Sequence, residues 1–224
     1  MLMAPWFLQK IFDKYLQQNR LVLVDYKFPE KILLFDIFSK TDLAVSNISI
    51  NEASQIYTSV KATSKICGDI AEVGVYRGST AKIICEANNG RAVHLFDTFE
   101  GLPEPSKDND EGIFQKSQYT CTLDNVKKRL SSYPNVSFYK GLFPSTGVAV
   151  KDSQFSFVHL DVDLYDSTKD SLAFFYPRMT KGGIIISHDY FYSKGVRKAF
   201  DEFFENKTEP IIKLVDSQCM IVKC

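Results

Sequence analysis

The stretch from Phe155 to Thr168, FSFVHLDVDLYDST, constrains the fold of this chain more than any other. It begins as an apolar run, Phe155, Phe157, Val158 and Leu160, broken only by Ser156 and His159. A short run rich in β-branched and aromatic residues suits a central strand covered on both faces. Three carboxylates follow, Asp161, Asp163 and Asp166. Unpaired carboxylates are costly inside a buried strand, so the strand should end near Asp161. Asp161 and Asp163 then stand at the carboxyl end of a central strand, where open α/β sheets form their ligand crevice. The competing use of such a segment is a polar loop that caps the next helix. We read Asp166, Ser167 and Thr168 as N-cap candidates, and Asp161 and Asp163 as functional candidates.

Other strands with polar ends flank this one in sequence. Ile70 to Val75 reads as a strand, and a helix should open near Gly78 to Thr80. The turn between them has the pattern E-x-G-x-x-x-G, from Glu72, Gly74 and Gly78. Backbone N–H groups at such a helix start favour a negative ligand, although a plain tight turn explains the glycines about as well. The spacing is not the G-x-G-x-x-G of dinucleotide enzymes. Ala92 to Asp97 is a second strand, ending in an acid about twenty residues after the turn, where an acid can accept from ribose hydroxyls. Leu123 to Leu130 reads as a helix and Val136 to Tyr139 as a strand that Gly141-Leu142-Phe143 leaves. Lys169 to Met179 is helical, Gly182-Gly183 should turn the chain, and Ile184 to Ile186 is a buried strand ending in Ser187-His188-Asp189-Tyr190. Lys194 to Phe204 is a helix, and Ile211 to Val215 with Met220 to Lys223 form a closing hairpin.

Strand alternates with helix throughout, so the chain should fold as α/β, a single doubly wound domain over residues 68–224. Glu72, Asp97, Asp161, His188 and Asp189 would face one crevice. Ahead of it, residues 1–67 form a helical region that packs on the domain or covers its site. Within that region residues 6–18 have helical spacing, and Ser49-Ile50-Asn51-Glu52 is a capping box opening a helix to about Ile66. Residues 99–121 are the longest polar stretch, either a substrate loop or a disordered insertion.

Lys plus Arg equals Asp plus Glu at 27 each, which leaves no electrostatic footprint for nucleic acid. The apolar start carries Lys10, Asp13 and Lys14, so it is neither a signal peptide nor a membrane span. Five scattered cysteines without a CxxC pair point to a reduced, cytoplasmic protein.

Six segments, AEVGVYRGST, HLFDTFEGLPEP, KGLFPST, FVHLDVDLYDST, YPRMTKGGIIISHDY and GVRKAFDEF, together resemble the macrocin-type O-methyltransferases that act on antibiotic sugars. The resemblance spans about residues 68–205. It implies a Rossmann-like class I methyltransferase fold with a mostly parallel seven-stranded sheet and an antiparallel C-terminal hairpin. It also implies S-adenosylmethionine as methyl donor. Glu72, Val73, Gly74, Val75, Tyr76 and Arg77 would hold the methionine end, and Gly78 and Ser79 would also bind the cofactor. Asp97 would take the ribose hydroxyls, with Thr98, Phe99 and Gly101 beside it and Gly141, Phe143 and Asp161 completing the cofactor site. A divalent metal, magnesium or manganese, would sit on Asp161, His188 and Asp189, and Asp163 would be the general base. The acceptor would be a hydroxyl of a sugar or polyol, and a homo-oligomer is expected.

One position departs from the family pattern, which often has two adjacent acids where this chain has His188-Asp189. Magnesium prefers oxygen ligands, whereas imidazole suits manganese, iron, nickel or zinc. That leaves open a different metal, a water-mediated role for His188, or a metal-free base. His94 and His159 lie within strands and read as packing or hydrogen-bonding residues rather than ligands. Two other functions fit the same residues: a catechol-type methyltransferase acting on aromatic diols, and a non-catalytic cofactor-binding or interaction protein.

Overall fold

The computed structural model describes residues 48–110 and 112–224. The helix expected over residues 6–18 lies outside them. Helix α1, Ile50–Ala62, opens on the expected capping box: the Ser49 hydroxyl accepts from the Glu52 N–H, and the Glu52 carboxylate accepts from the Ser49 N–H. A short 3-10 turn, Thr63–Lys65, carries it into the sheet.

Seven strands form one sheet: β1 Asp69–Val73, β2 Val93–Asp97, β3 Val136–Lys140, β4 Phe155–Leu160, β5 Met179–Ser187, β6 Ile212–Lys213 and β7 Cys219–Val222. Their spatial order is β3-β2-β1-β4-β5-β7-β6. The first five pair in parallel, and β7 runs antiparallel to both β5 and β6. The helices are α2 Ser79–Ala87, α3 Leu123–Arg129, α4 Tyr165–Phe175 and α5 Lys194–Phe204. The chain order reverses between β1 and β4, so the crevice lies where these two strands end.

Alternation in the strands makes two cores. Ile70, Leu95, Phe157, Ile184 and Ile186 pack with Ile56 and Val60 of α1 and Ile83 of α2. Ala71, Phe96, Val158, Leu160 and Ile185 pack with Leu172 of α4 and Phe200 of α5. Phe155 and Phe157 are two apart yet enter opposite cores, because the β4 register slips between them. Each fully buried Phe contributes ~1.5–3 kcal/mol.

Three sequence expectations are corrected. Gly182 and Gly183 do not turn the chain out of the sheet; they lie inside β5. Backbone pairing with Lys223 holds them there, Gly182 N–H to the Lys223 carbonyl at 2.7 Å and Lys223 N–H to the Gly183 carbonyl at 2.8 Å. The segment 169–179 is not one helix, since α4 begins earlier, at Tyr165, and Met179 already belongs to β5. Asp166, Ser167 and Thr168 therefore sit within α4 rather than capping it. Leu164 occupies the cap position and offers no side-chain acceptor. The acceptor comes instead from Asp110, whose carboxylate takes the Tyr165 N–H at 2.9 Å. The 99–121 loop is thus seated on the domain, with Leu102 and Gln118 joined through their backbones at 2.9 Å. Among the described residues no helix is long and apolar enough to cross a membrane.

Candidate active site

A cavity of about 440 Å³ opens at the carboxyl ends of β1, β2, β4 and β5. That is within the usual range for small-molecule sites. Its floor is the turn after β1. Gly74 has φ +85°, and its N–H donates to the Phe96 carbonyl at 2.9 Å. Asp97, at the tip of β2, braces the same turn: one carboxylate oxygen accepts from the N–H of Val75 and Tyr76 at 2.7 and 2.8 Å, the other from Phe99 at 2.6 Å. Thr98 donates its hydroxyl to the Gly101 carbonyl at 2.7 Å.

Most of the residues singled out from sequence do meet here. Val73, Gly74, Val75, Tyr76, Arg77 and Ser79 line the floor, Asp97, Thr98 and Gly101 one wall, and Gly141 and Phe143 the next. Three do not reach it. Gly78 stays behind the turn as the cap of α2, and Phe99 is buried in the core. Glu72 pairs in register with His159 of β4, and its carboxyl contacts the His159 Nδ1 at 2.9 Å, fully buried. Burial pushes Glu72 up to about 8 and His159 down to about 4, each towards its neutral form. His94 is likewise structural, held between Asp69 and Tyr139 at 3.0 Å each.

At the opposite wall, β4 and β5 deliver Asp161, Asp163, His188 and Asp189. Asp163 and Asp189 both take φ +60°, a left-handed conformation that turns each strand end back into the cavity. The His188 Nδ1 lies 3.0 Å from an Asp189 oxygen and 3.4 Å from Asp161. One ligand atom each of Asp161, His188 and Asp189 fall within 4.8 Å of one another. Burial would push the His188 ring down; the carboxylates of Asp161, Asp189 and Glu52 outweigh it and hold the ring well above the usual imidazole range. Burial, then the neighbouring carboxylates of Asp161 and Asp189, holds Asp163 well above the carboxylate range. Asp161 is also raised by burial, although 29% of its side chain remains accessible, because the accessible part faces a concave cavity rather than open water.

Sequence reading missed several lining residues. Glu52 reaches the cavity from α1, and Ser217 from the turn between β6 and β7. The Ser217 N–H and hydroxyl both donate to Glu52, at 3.0 and 2.6 Å. The capping-box pattern accounted for Glu52 locally, which hid its long-range contacts. Phe114, Tyr119 and Tyr192 line the mouth, with Tyr119 edge-on to Tyr76 and Phe114 edge-on to Tyr192.

A sheet of this order, with a glycine turn and an acid on its first two strands and a polar cluster on the fourth and fifth, is the Rossmann-like fold of class I methyltransferases. Within that class, the chain belongs to the macrocin O-methyltransferase (TylF) family, whose model matches residues 42–223. It is 28% identical over 155 residues to the demethyldecarbamoylnovobiocin O-methyltransferase of Streptomyces niveus, covering 62% of this chain and 59% of that protein. It is 30% identical over 138 residues to the 8-demethyl-8-(2,3-dimethoxy-alpha-L-rhamnosyl)-tetracenomycin-C 4'-O-methyltransferase of Streptomyces olivaceus, covering 55% of this chain and 53% of that protein. The match thus spans less than two thirds of each relative. The O-methyltransferase NovP has the same fold, with a TM-score of 0.70 at 24% identity over 80% of this chain and 81% of that one.

Proposed function

We propose that the protein is an S-adenosylmethionine-dependent O-methyltransferase that methylates a hydroxyl of a sugar or polyol, assisted by a divalent cation on Asp161, His188 and Asp189. One observation carries this reading: a single cavity joins the braced glycine turn and Asp97 to the four polar side chains at the ends of β4 and β5. Family membership supports the reaction class, and the rhamnosyl group in the Streptomyces olivaceus relative's name supports a sugar acceptor.

The residues present suit both bound groups. Asp97 offers a carboxylate already fixed by three N–H groups, ready to accept from ribose hydroxyls, and the methionine end would lie along residues 73–77. The cofactor supplies an electrophilic methyl group. For the cation, both ring nitrogens of His188 are buried and lack an aligned hydrogen bond, beside two carboxylates that supply hard oxygen ligands. A cation there supplies Lewis acidity that makes a nearby hydroxyl easier to deprotonate.

Asp163 is the base in this reading. It shares the wall with Asp161 and Asp189, and positive charge among the three would lower its pKa into a working range. General-base help of this kind contributes about 10²–10⁴-fold. The aromatic mouth formed by Phe114, Tyr119 and Tyr192 would exclude water and seat the apolar face of the acceptor.

Calorimetric titration with S-adenosylmethionine, in chelator and then with magnesium or manganese, tests the reading. Saturable binding is expected in both conditions, with turnover on a panel of sugar and catechol acceptors only when metal is present. Absence of cofactor binding in every condition would overturn it. Transfer to catechols alone would replace the sugar acceptor with an aromatic diol.

A further inference from the structure

His188 is strung between carboxylates on both edges of its ring. Its Nδ1 faces Asp189 at 3.0 Å and Asp161 at 3.4 Å, inside the candidate ligand set. Its Nε2 faces Oε1 of Glu52 at 3.3 Å, from a different part of the chain. Glu52 is 4% exposed and held independently of His188. Its Oε2 accepts from the Ser49 N–H at 2.8 Å, and its Oε1 accepts twice from Ser217. Capping α1 uses only Oε2. The other oxygen is turned towards His188 and the β6–β7 turn, which capping does not require.

A carboxylate fixed against one imidazole nitrogen selects the tautomer protonated there and leaves the other nitrogen as the ligand. We propose that Glu52 is a positioning residue whose fixed carboxylate, 3.3 Å from Nε2 of His188, favours the proton on that nitrogen once a cation is bound, so that Nδ1 is presented between Asp161 and Asp189 to a divalent cation of the class that accepts imidazole, manganese or zinc ahead of magnesium. This rests on the metal-assisted reading above and goes beyond it, naming the coordinating nitrogen, the residue that orients it and the resulting metal preference. An imidazole in the set weakens the site for magnesium, which favours an all-oxygen shell.

The test uses the whole protein with Mn²⁺ alone as probe, followed by electron paramagnetic resonance. The wild-type protein should bind Mn²⁺ and display nitrogen modulation from one imidazole. Glu52→Gln should weaken Mn²⁺ binding by about 10–100-fold, the usual effect of losing a carboxylate behind a ligating histidine. Thr122→Ala removes the side-chain cap of α3, away from Glu52 and the cavity; it should lower the melting temperature without changing Mn²⁺ affinity. Magnesium should compete poorly for the wild-type site and better after His188→Asp. If Glu52→Gln does not fold, the wild-type protein still decides the matter, since ¹⁵N shifts of the Zn²⁺-loaded form identify the metallated nitrogen. Metallation at Nε2, or unchanged Mn²⁺ affinity and modulation in folded Glu52→Gln, would overturn the role of Glu52 and leave the metal-assisted reading standing. Failure of the wild-type protein to take up Mn²⁺, with and without S-adenosylmethionine, would overturn both.

Discussion

Gly74 and Asp161 touch through their backbones: a Cβ built on Gly74 would come within 1.8 Å of the Asp161 carbonyl oxygen. The glycine turn of β1 and the acid at the end of β4 are therefore one packed unit, and the Asp161 N–H donates to Val73 at 2.9 Å beside the contact. Gly74→Ala should fail twice. Its φ of +85° costs an L-residue about 1–2 kcal/mol, and the clash is with backbone that cannot swing aside. The expected result is a melting temperature lowered by several degrees or more, with loss of cofactor binding in calorimetry. A variant as stable as the wild type would contradict the contact.

Asp163→Asn removes the proposed base while keeping the shape of the side chain. Turnover should fall by about 10²–10⁴-fold, with S-adenosylmethionine affinity within a few-fold of wild type. Steady-state assays paired with calorimetry separate the two effects. Turnover at the wild-type rate would remove Asp163 from the reaction.

Asp97→Ala leaves the N–H groups of Val75, Tyr76 and Phe99 without their acceptor. It also removes the acceptor proposed for the ribose hydroxyls; with hydrogen bonds to a charged group each worth about 1.5–3 kcal/mol, cofactor affinity should drop at least tenfold. An unchanged dissociation constant would displace Asp97 from the ribose position.

Asp110 caps a helix 55 residues away in sequence. Asp110→Ala should cost about 0.5–2 kcal/mol, as loss of an N-cap does elsewhere. Hydrogen exchange should rise across residues 99–121 while β1 and β4 stay protected. Gly195→Ala is an independent probe, because its Cβ would meet the Asp110 carboxylate at 2.3 Å and push it off the helix. Matching exchange patterns in the two variants would establish the cap as the anchor of the loop.

Glu209 is 3% exposed and accepts from Lys223 at 2.8 Å and from the Tyr176 hydroxyl at 2.8 Å. The Lys223 bond, opposed by burial and helped by Tyr176, holds its carboxyl down to about 2 from an ordinary 4.5. A carboxylate whose pKa is lower folded than unfolded stabilises the fold above its unfolded value. That stability is lost as pH falls from about 4.5 towards 2. The stability gap between wild type and Glu209→Gln in denaturant melts should therefore shrink across that window. A gap that stays constant with pH would refute the linkage.

The strand ends were legible because runs such as Phe155–Leu160 and Val93–Asp97 switch abruptly from apolar to acidic, and that switch marks where a buried strand meets a crevice. Helix α5 runs over the residues expected, Lys194–Phe204, and its cap is local, the Ser193 hydroxyl accepting from Val196. What escaped depended on partners distant in sequence. The cap of α4 comes from Asp110, the place of Gly182-Gly183 in the sheet depends on Lys223, and the burial of Glu72 depends on His159 in the neighbouring strand. Glu52 escaped because a sufficient local explanation stood in front of its second role.

The mesh of Glu52 and Ser217, joined by a hydrogen bond from Ser49 to Asp216 at 2.6 Å, bears on how this fold can be recombined. A cassette cut at Gly68 would keep all seven strands of the described residues yet discard one wall of its own cavity. A chimera between relatives should accordingly exchange residues 48–66 and 214–218 as a matched set. Either segment grafted alone would bring half of a handshake.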